Sequence, residues 1–365
     1  MTFPPEDIYE MFNNEESLVY DADPNNNTGE IIDYTCDIVM ENQKELGQFK
    51  RIFIPLLYSL VFVIGVMGNG LVLYILMRHR RLRSSTDNFL VHLAIADLLM
   101  LFTFPFTVAE PLGGWVFGNY LCKIVRVISR VNFYCSSLLL GCISIDRYLS
   151  IIHAINAFRK QRAMTVHIPC FGVWFFCFLL SSPNLFILGT IPEGCARSRC
   201  GYYNSNFRDN KFWQAERFIN HLVGFLFPML LMTFCYFHII VTLCKSPRRE
   251  KKRAVRVAIV ITSVFFLCWT PYNVVIFVNT LKQLGQIEGF RQIRLAVLIT
   301  ELLGYVHCCL NPLLYAFVGV KFRKDAMNVL KHTACFKSKM ISKLNMLQRK
   351  GSAIESESGT MMSSF

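Results

Sequence analysis

Residues 168–188, IPCFGVWFFCFLLSSPNLFIL, decide the fold class because they contain no charged side chain. An α-helix needs roughly 20 mostly apolar residues to cross the hydrocarbon core of a bilayer. This stretch is long enough and apolar enough to do so. We therefore predict that it forms a membrane-spanning helix.

The same pattern occurs seven times along the chain. A transmembrane barrel would instead show segments of about 10 residues with alternating polarity. The sequence thus predicts an all-α membrane protein, a seven-transmembrane helix bundle with a short amphipathic eighth helix. The predicted spans lie at about residues 52–77, 87–110, 120–151, 163–188, 213–243, 254–280 and 292–318.

The composition excludes several other classes of protein. Of the 365 residues, 53% are hydrophobic and only 17% are charged, which is too little charge to cover a soluble surface of this size. The 32 phenylalanines exclude a mainly disordered chain. Most of the 14 cysteines lie inside apolar stretches, which excludes a soluble disulfide-rich domain.

Charge is distributed unevenly along the chain. Residues 1–49 contain 12 acidic residues and one lysine, whereas the rest of the chain contains 37 lysines and arginines. Four clusters of basic residues lie in segments between or after the predicted spans, so no nucleic-acid partner is expected. The positive-inside rule makes the side of these segments cytoplasmic. They lie at residues 78–83, 159–162, 245–256 and 321–331.

The odd number of spans then places the N-terminus outside the cell and the C-terminus in the cytoplasm of a multi-pass plasma-membrane protein. No cleavable signal peptide is recognised, so we expect the first span to act as a signal anchor. The sequon at Asn26 predicts glycosylation of the outer tail. We expect an acidic extracellular tail at residues 1–49 and the helix bundle at residues 50–319. An amphipathic helix on the inner membrane face is expected at residues 320–332, and a Ser/Thr-rich cytoplasmic tail at residues 333–365.

Every predicted span carries an unusual polar, aromatic or proline residue, and polar groups in lipid are costly enough to need a reason. All seven motifs, in this order, resemble the rhodopsin-like (class A) G-protein-coupled receptors over roughly residues 50–332. The motifs are Gly68-Asn69, Asp97, Asp146-Arg147-Tyr148, Trp174, Pro228 with Tyr236, Cys268-Trp269-Thr270-Pro271-Tyr272 and Asn311-Pro312-Leu313-Leu314-Tyr315.

This resemblance implies a switch made of kinked helices. Prolines in the sixth and seventh spans remove helix hydrogen bonds and allow the inner halves to swing as rigid bodies. Arg147 is expected to leave an ion pair with Asp146 and to contact a G protein on activation. The residues assigned to the switch and the G-protein contact are Asp146, Arg147, Tyr148, Tyr236, Trp269, Pro271, Asn311, Pro312 and Tyr315.

Asp97 is an isolated acid at mid-membrane depth. The family positions around it resemble an allosteric sodium site, since oxygen ligands suit a hard cation. The alternative is a hydrogen-bonded polar cluster that holds water only or contains a protonated Asp97. The residues expected to form the sodium site are Asp97, Asn132, Ser136, His307 and Asn311. No other cofactor is expected.

Single residues narrow the class further. Tyr305 stands where opsins carry the retinal lysine, and Ser129 stands where aminergic receptors carry an aspartate. Thr103-Phe104-Pro105, Glu301 and His307-Cys308-Cys309-Leu310-Asn311-Pro312 resemble the chemokine receptors instead. This resemblance implies a basic CXC chemokine as ligand, an inhibitory-class G protein and arrestin as partners, and no enzymatic activity.

The acidic tail fits a basic ligand, because opposite charge steers association. Three tail tyrosines lie beside acidic residues, which suits sulfation. The alternative for the outer-pocket arginines, including Arg126, is that they pair with Glu110 and Glu301 and contribute only to structure. The expected ligand contacts are Tyr9, Tyr20, Tyr34, Glu110, Ser129, Arg130, Arg217, Tyr272, Arg294 and Glu301.

Four cysteines are expected outside the cell, and four cysteines allow three pairings. The resemblance implies a disulfide between Cys122 and Cys200. The last outer loop has no cysteine to pair with Cys36, as chemokine receptors usually have. We predict a disulfide between Cys36 and Cys195, with two free thiols or two intermolecular disulfides as the alternative.

The inner side of the protein is expected to contact lipid, the G protein and arrestin. Residues 320–331 resemble an amphipathic helix, and Cys335 after it is a candidate for palmitoylation. Phosphates on the tail would make an anionic ligand for arrestin. The candidate sites are Ser352, Ser356, Ser358, Thr360, Ser363 and Ser364.

Other classes of function fit less well. A transporter usually shows internal repeats, and we find none in the sequence. We also find no metalloprotease or nucleophile motif that would indicate an enzyme. A chemokine scavenger that does not signal remains an alternative within the family. The intact Asp146-Arg147-Tyr148 motif favours a signalling receptor.

Overall fold

The computed structural model describes residues 44–78, 85–152, 162–193, 197–202, 211–244, 249–286 and 293–318. Within these residues, seven helical spans are long and apolar enough to cross a membrane, which confirms the predicted bundle. Spans 1 to 7 are Ile52–Arg78, Ser85–Glu110, Gly118–Ile152, Ile168–Ile187, Lys211–Cys244, Val255–Gln283 and Leu295–Tyr315. The predicted eighth helix and both tails lie outside the described residues.

Several spans are parts of longer helices or consist of more than one helix. Spans 1, 3, 6 and 7 belong to the helices Lys44–Arg78, Gly118–Ile152, Arg249–Gln283 and Ile293–Val318. Span 2 lies in two consecutive helices, Ser85–Leu101 and Phe104–Gly113. Span 4 likewise lies in the helices Arg162–Ser181 and Asn184–Ile187. Span 5 consists of Lys211–Ile219, a π-helix at Asn220–Leu226, and Phe227–Cys244.

The break in span 2 follows from its sequence. Pro105 has no backbone N–H to donate to the preceding turn, and both the N–H and the hydroxyl of Thr103 donate to the Met100 carbonyl, at 2.9 Å and 2.7 Å. The break turns Phe104 into the bundle, where its ring lies 4.8 Å from that of Tyr58 and 5.8 Å from that of Tyr305. The upper part of span 2 thereby reaches spans 1 and 7.

The π-helix of span 5 ends two residues before Pro228, which has no N–H to donate to the regular hydrogen-bond ladder. It carries Gly224 against span 3. A Cβ atom on Gly224 would lie 2.5 Å from Cε1 of Phe133 and 3.0 Å from Cε1 of Tyr134. The glycine therefore allows spans 3 and 5 to approach closely.

The core of the bundle is continuous through the membrane. Span 3 packs against spans 2, 4, 5 and 6, and span 7 packs against spans 1 and 6. Large apolar side chains also point outwards: Phe171 and Phe175 of span 4 keep 67% and 72% of their surface exposed. Such a surface suits lipid rather than water.

Among the described residues, two short strands form the exception to an otherwise helical fold. Strands β1, Leu188–Glu193, and β2, Arg197–Tyr202, pair antiparallel with Thr190 opposite Cys200. A disulfide joins Cys200 to Cys122 at the start of the span 3 helix, as the resemblance implied. The hairpin is thus fixed to the outer end of span 3 and lies over the bundle.

Candidate functional site

Arg126 of span 3 connects three spans at the outer end of the bundle. Its guanidinium lies 3.1 Å from the Glu110 carboxylate of span 2 and 3.7 Å from the Glu301 carboxylate of span 7. Tyr305 donates a hydrogen bond of 2.8 Å to the same Glu301 carboxylate. The predicted structural pairing with Glu110 and Glu301 is therefore found for Arg126.

Glu110 also holds the hairpin in place. Its other carboxylate oxygen accepts a 2.8 Å hydrogen bond from the backbone N–H of Cys200. Arg126 donates to the carbonyl of the same residue at 3.3 Å. The disulfide and these two hydrogen bonds together fix Cys200 over the space between spans 2, 3 and 7.

Arg130 lies one helical turn further into the membrane on the same face of span 3. It does not share the carboxylates that Arg126 uses in the described structure. Its Nε lies 3.4 Å from the carboxylate of Glu216 in span 5, which is buried. Glu216 also accepts 2.8 Å and 3.2 Å hydrogen bonds from Asn220 and from the Tyr202 hydroxyl.

The sequence did not indicate Glu216 or Tyr202 as site residues. Burial is the main cause that raises the pKa of Tyr202 to about 12. The hydroxyl of Tyr202 therefore keeps its proton at neutral pH and can donate to Glu216. Its ring also stacks on Trp213, with ring centroids 4.5 Å apart, so the hairpin is anchored to span 5 as well as to span 3.

The other predicted contacts line the same pocket in different ways. The hydroxyl of Ser129 donates to the Val125 carbonyl at 3.0 Å, within its own helix. Arg217 is buried, lies over the Trp213 ring and donates to Thr280 of span 6 at 3.4 Å. The half-buried Tyr272 meets the Trp269 ring edge-on at 5.5 Å.

Trp269 forms the floor of this pocket. Its ring lies 4.7 Å from that of Phe133 and 5.7 Å from that of Tyr305. Gly304 of span 7 makes room for it, since a Cβ atom there would lie 2.8 Å from the indole. A ligand that moves any of these neighbours would also move Trp269, two residues before the kink at Pro271.

A polar pair links the pocket to the same kink. The side-chain amide of Asn273 donates to the Trp269 carbonyl at 3.0 Å, which directs its carbonyl oxygen to His221 of span 5 at 3.2 Å. His221 must then donate from Nδ1, because that oxygen only accepts. The outer part of span 5 is thus hydrogen-bonded to the helix around Pro271.

Asp97 lies below Trp269 and has no exposed surface. Its two carboxylate oxygens accept hydrogen bonds from Asn132 at 3.2 Å and from Asn311 at 2.9 Å. His307 Nε2 lies 3.6 Å from the carboxylate and 3.4 Å from the Ser136 hydroxyl. All five residues predicted for the sodium site therefore meet in one cluster, and the sodium ion itself stays a prediction.

The motif in span 1 supports span 7 directly. Pro312 has no N–H, so the carbonyl of Cys308, four residues earlier, lacks its normal helical donor. The side-chain amide of Asn69 donates to that carbonyl at 2.8 Å. Gly68 allows the approach, since a Cβ atom there would lie 2.7 Å from the Pro312 ring.

At the inner end of the bundle, Thr86 of span 2 lies between the residues of the Asp146-Arg147 motif. Arg147 donates to the Thr86 hydroxyl, and that hydroxyl donates to Asp146 at 3.3 Å. The predicted relation between Asp146 and Arg147 thus includes a hydroxyl bridge that sequence reasoning missed.

The tyrosines of the predicted switch lie near the same end. Tyr236 of span 5 shares a 3.3 Å hydrogen bond with Thr262 of span 6, and Tyr315 of span 7 is buried. Tyr148 packs against the rings of Phe234 and His238 in span 5. The hydrogen bond between the hydroxyls of Tyr236 and Thr262 therefore links the inner halves of spans 5 and 6.

The remaining predicted sites lie outside the described residues. The side chain of Arg294 does so too, although its backbone belongs to the helix of span 7. These predictions therefore stay predictions. They are Tyr9, Tyr20, Tyr34, Asn26, Cys36, Cys195, Cys335 and the five serines and one threonine predicted as phosphorylation sites in the C-terminal tail.

Comparison with known proteins decides the family. Residues 68–315 match the 7 transmembrane receptor (rhodopsin family). The C-X-C chemokine receptor type 5 of Mus musculus is 45% identical over 327 residues, which cover 88% of this chain and 87% of the relative. This protein is a CXC-type chemokine receptor of the rhodopsin family.

Two further relatives refine the position of the receptor in its family. The human type 5 receptor is 45% identical over 328 residues, which cover 88% of each chain. The type 3 receptor of Bos taurus is 41% identical over 291 residues, which cover 79% of each chain. From the sequence we expected type 5, on residues 105–110, 131–138, 253–269 and 356–365, with type 3 second, on residues 303–323. The identities agree with that order.

Membership in this family settles two predictions from the sequence. Its members are signalling receptors and not enzymes, as we expected. The seven spans and the family together also confirm a multi-pass protein of the plasma membrane.

Proposed function

We propose that this receptor binds a basic CXC chemokine at the cell surface and activates inhibitory-class heterotrimeric G proteins to drive chemotaxis. The observation that carries the proposal is the outer pocket itself. Its walls carry three carboxylates and two arginines on spans 2, 3, 5 and 7, and its floor is Trp269. In this proposal the N-terminus faces outwards and the C-terminus faces the cytoplasm.

Charge supports a ligand with two binding regions. Residues 1–49 contain 12 acidic residues and one lysine, so they would attract and hold the body of a basic protein. A ligand segment would reach Arg126, Glu110 and Glu301, because these side chains keep between 19% and 30% of their surface exposed. The type 5 relatives make the B-cell-attracting CXC chemokine the first ligand to test.

Binding would act through a pre-existing equilibrium between inactive and active arrangements. A ligand segment that displaces Tyr272 or Phe133 changes the packing of Trp269. The kinks at Pro271 and Pro312 then allow the inner halves of spans 6 and 7 to move. Release of Arg147 from Thr86 would present the arginine to a G protein, and arrestin would bind the phosphorylated tail afterwards.

The experiment is suppression of cyclic AMP in cells that express the full chain, across a panel of CXC chemokines with and without pertussis toxin. We expect a toxin-sensitive response to the B-cell-attracting chemokine. A response only to chemokines of the type 3 receptors would keep the function and change the ligand. No response to any member of the panel would contradict coupling to inhibitory-class G proteins.

The second candidate function is a scavenger that takes up chemokine without signalling. Arg147→Ala separates the two functions, because a scavenger does not need an arginine that contacts a G protein. We expect this variant to keep chemokine binding and to lose cyclic AMP suppression. Unchanged suppression by the variant would contradict the role assigned to Arg147.

A further inference from the structure

Three metal-binding side chains converge in the centre of the bundle. Asp97 of span 2 and His307 and Cys308 of span 7 place one ligand atom each within 4.8 Å of the other two. None of the three side chains has exposed surface. Cys308 did not belong to the sodium site that the sequence predicts, so its sulfur changes the chemistry of the cluster.

The hydrogen bond from His307 to Gly304 indicates the tautomer of the neutral imidazole ring. Nδ1 lies 2.6 Å from the Gly304 carbonyl oxygen, which only accepts, so Nδ1 carries the proton. Neutral His307 then presents a lone pair on Nε2. This atom lies 3.6 Å from the Asp97 carboxylate, 3.7 Å from the Cys308 sulfur and 3.4 Å from the Ser136 hydroxyl.

These separations match a tetrahedral zinc site. Zinc lies about 2.0 Å from nitrogen and carboxylate oxygen and about 2.3 Å from sulfur, which places tetrahedral N and O ligands roughly 3.4 Å apart and N and S ligands roughly 3.6 Å apart. The observed nitrogen–oxygen and nitrogen–sulfur distances are 3.6 and 3.7 Å. The sulfur also lies 3.9 Å from Nδ1, so the Cys308 side chain must rotate towards Nε2 for all three ligands to reach bonding distance.

The residues that hydrogen-bond to these ligands are also arranged as they are around a metal site. A histidine that binds a metal normally donates its other N–H to a carbonyl or carboxylate, as His307 does to Gly304. Asn132 and Asn311 turn N–H groups to the Asp97 carboxylate, which orients it.

We propose that Asp97, His307 and Cys308 form a zinc-binding site, with the Ser136 hydroxyl as the nearby fourth oxygen. Nitrogen, thiolate sulfur and a carboxylate form a borderline-soft ligand set that favours Zn²⁺ over Na⁺. The Cys308 thiol releases its proton to solvent when it binds the metal. The metal joins span 2 to span 7 and holds these spans in the arrangement seen here.

The test uses the full-length receptor, purified, treated with a chelator and titrated separately with Zn²⁺ and Na⁺. Bound zinc and the thermal unfolding midpoint are measured. We expect one zinc per receptor and a higher midpoint with zinc. Cys308→Ser and His307→Asn should each weaken zinc binding about 100-fold or more. Mutation of residues that only hydrogen-bond to metal ligands already lowers metal affinity about 10–100-fold.

Cys309→Ser is the matched control. Cys309 is the neighbouring buried thiol and donates to its own helix, at the Val306 carbonyl 3.1 Å away. This variant should bind zinc like the unaltered receptor. Equal zinc binding by Cys308→Ser and Cys309→Ser would place the metal elsewhere and overturn the proposal.

Cobalt gives a second measurement that needs no variant. Co²⁺ in place of zinc should give the near-ultraviolet charge-transfer band of a cobalt–thiolate bond in the unaltered receptor. Absence of that band, or stabilisation by Na⁺ but not by Zn²⁺, would overturn the proposal. These readouts do not depend on chemokine binding or G-protein coupling, so they can fail without affecting the proposed function.

Discussion

At the outer end of the bundle, the carboxylates of Glu110 and Glu301 share one arginine and keep about a fifth of their surface exposed. At the centre, Asp97 is held by two amides and a histidine and has no exposed surface. The outer charges can exchange one partner for another in the presence of water or a ligand. The central charge can change partners only if the spans move.

This difference assigns different roles to the two regions. Exposed ion pairs contribute little to stability, so the outer network is available for recognition at low cost. A buried polar cluster is costly to leave partly satisfied, so the centre favours one arrangement of spans 2, 3 and 7 over others. We expect changes in the outer region to alter binding and changes in the centre or at the inner end to alter signalling.

The largest effect should come from the anchor of the outer region. Cys122→Ser removes the disulfide that fixes β2 to span 3, and loss of a native disulfide typically costs about 2–5 kcal/mol. We expect lower thermal stability and loss of chemokine binding, measured on purified receptor and on cells. Cys244→Ser, which changes an exposed free thiol, is the control and should have no effect.

The next effect concerns the deeper of the two arginines. Glu216→Leu leaves Arg130 without its described carboxylate partner, and breaking a buried ion pair costs roughly 3 kcal/mol or more. Adding Arg130→Met should restore most of the stability, because an apolar pair of similar volume replaces the ion pair. A double variant as unstable as Glu216→Leu, by thermal unfolding, would show that the ion pair is not the cause.

A smaller effect is expected where the two regions meet. Gly304→Ala places a Cβ atom 2.8 Å from the Trp269 indole, and overpacking of this kind costs about 1–3 kcal/mol. We expect lower stability and a changed basal level of cyclic AMP. Gly70→Ala adds the same atom where nothing lies within 4 Å, so similar effects of both changes would contradict the contact with Trp269.

The smallest effect is expected at the inner end. Tyr236→Phe removes the hydroxyl contact with Thr262, and one such hydrogen bond contributes about 1 kcal/mol. We expect a slightly lower thermal unfolding midpoint for this variant. The change should have no further effect in a receptor that already carries Thr262→Val. Fully additive losses in the double variant would mean that the two hydroxyls do not stabilise each other.

Much of the fold follows from local sequence. Each span is a run of apolar residues, so its length and approximate ends could be predicted without knowledge of its neighbours. Pairs of residues within one motif, such as Trp269 and Pro271, could also be recognised in the sequence. Asn69 is an intermediate case, because its motif was recognised but its role at the carbonyl exposed by Pro312 required the structure.

The partners of charged residues could not be predicted in the same way. Glu216 precedes the apolar part of span 5 and resembles an ordinary surface acid next to Arg217. Its burial against Arg130 follows from the packing of spans 3 and 5, which are far apart in sequence. Thr86 and Cys308 were missed for the same reason, since only the packing of span 2 on spans 3 and 7 gives them a role.

The most direct test of this account measures chemokine binding and pertussis-toxin-sensitive cyclic AMP suppression on the same cells for two variants. The Arg130→Met/Glu216→Leu receptor should bind more weakly and shift its dose–response curve by the same factor, with an unchanged maximum. Arg147→Ala should keep its affinity and lose the response. An outer variant that binds normally but does not signal, or an Arg147→Ala receptor that still signals, would contradict the division between recognition and switching.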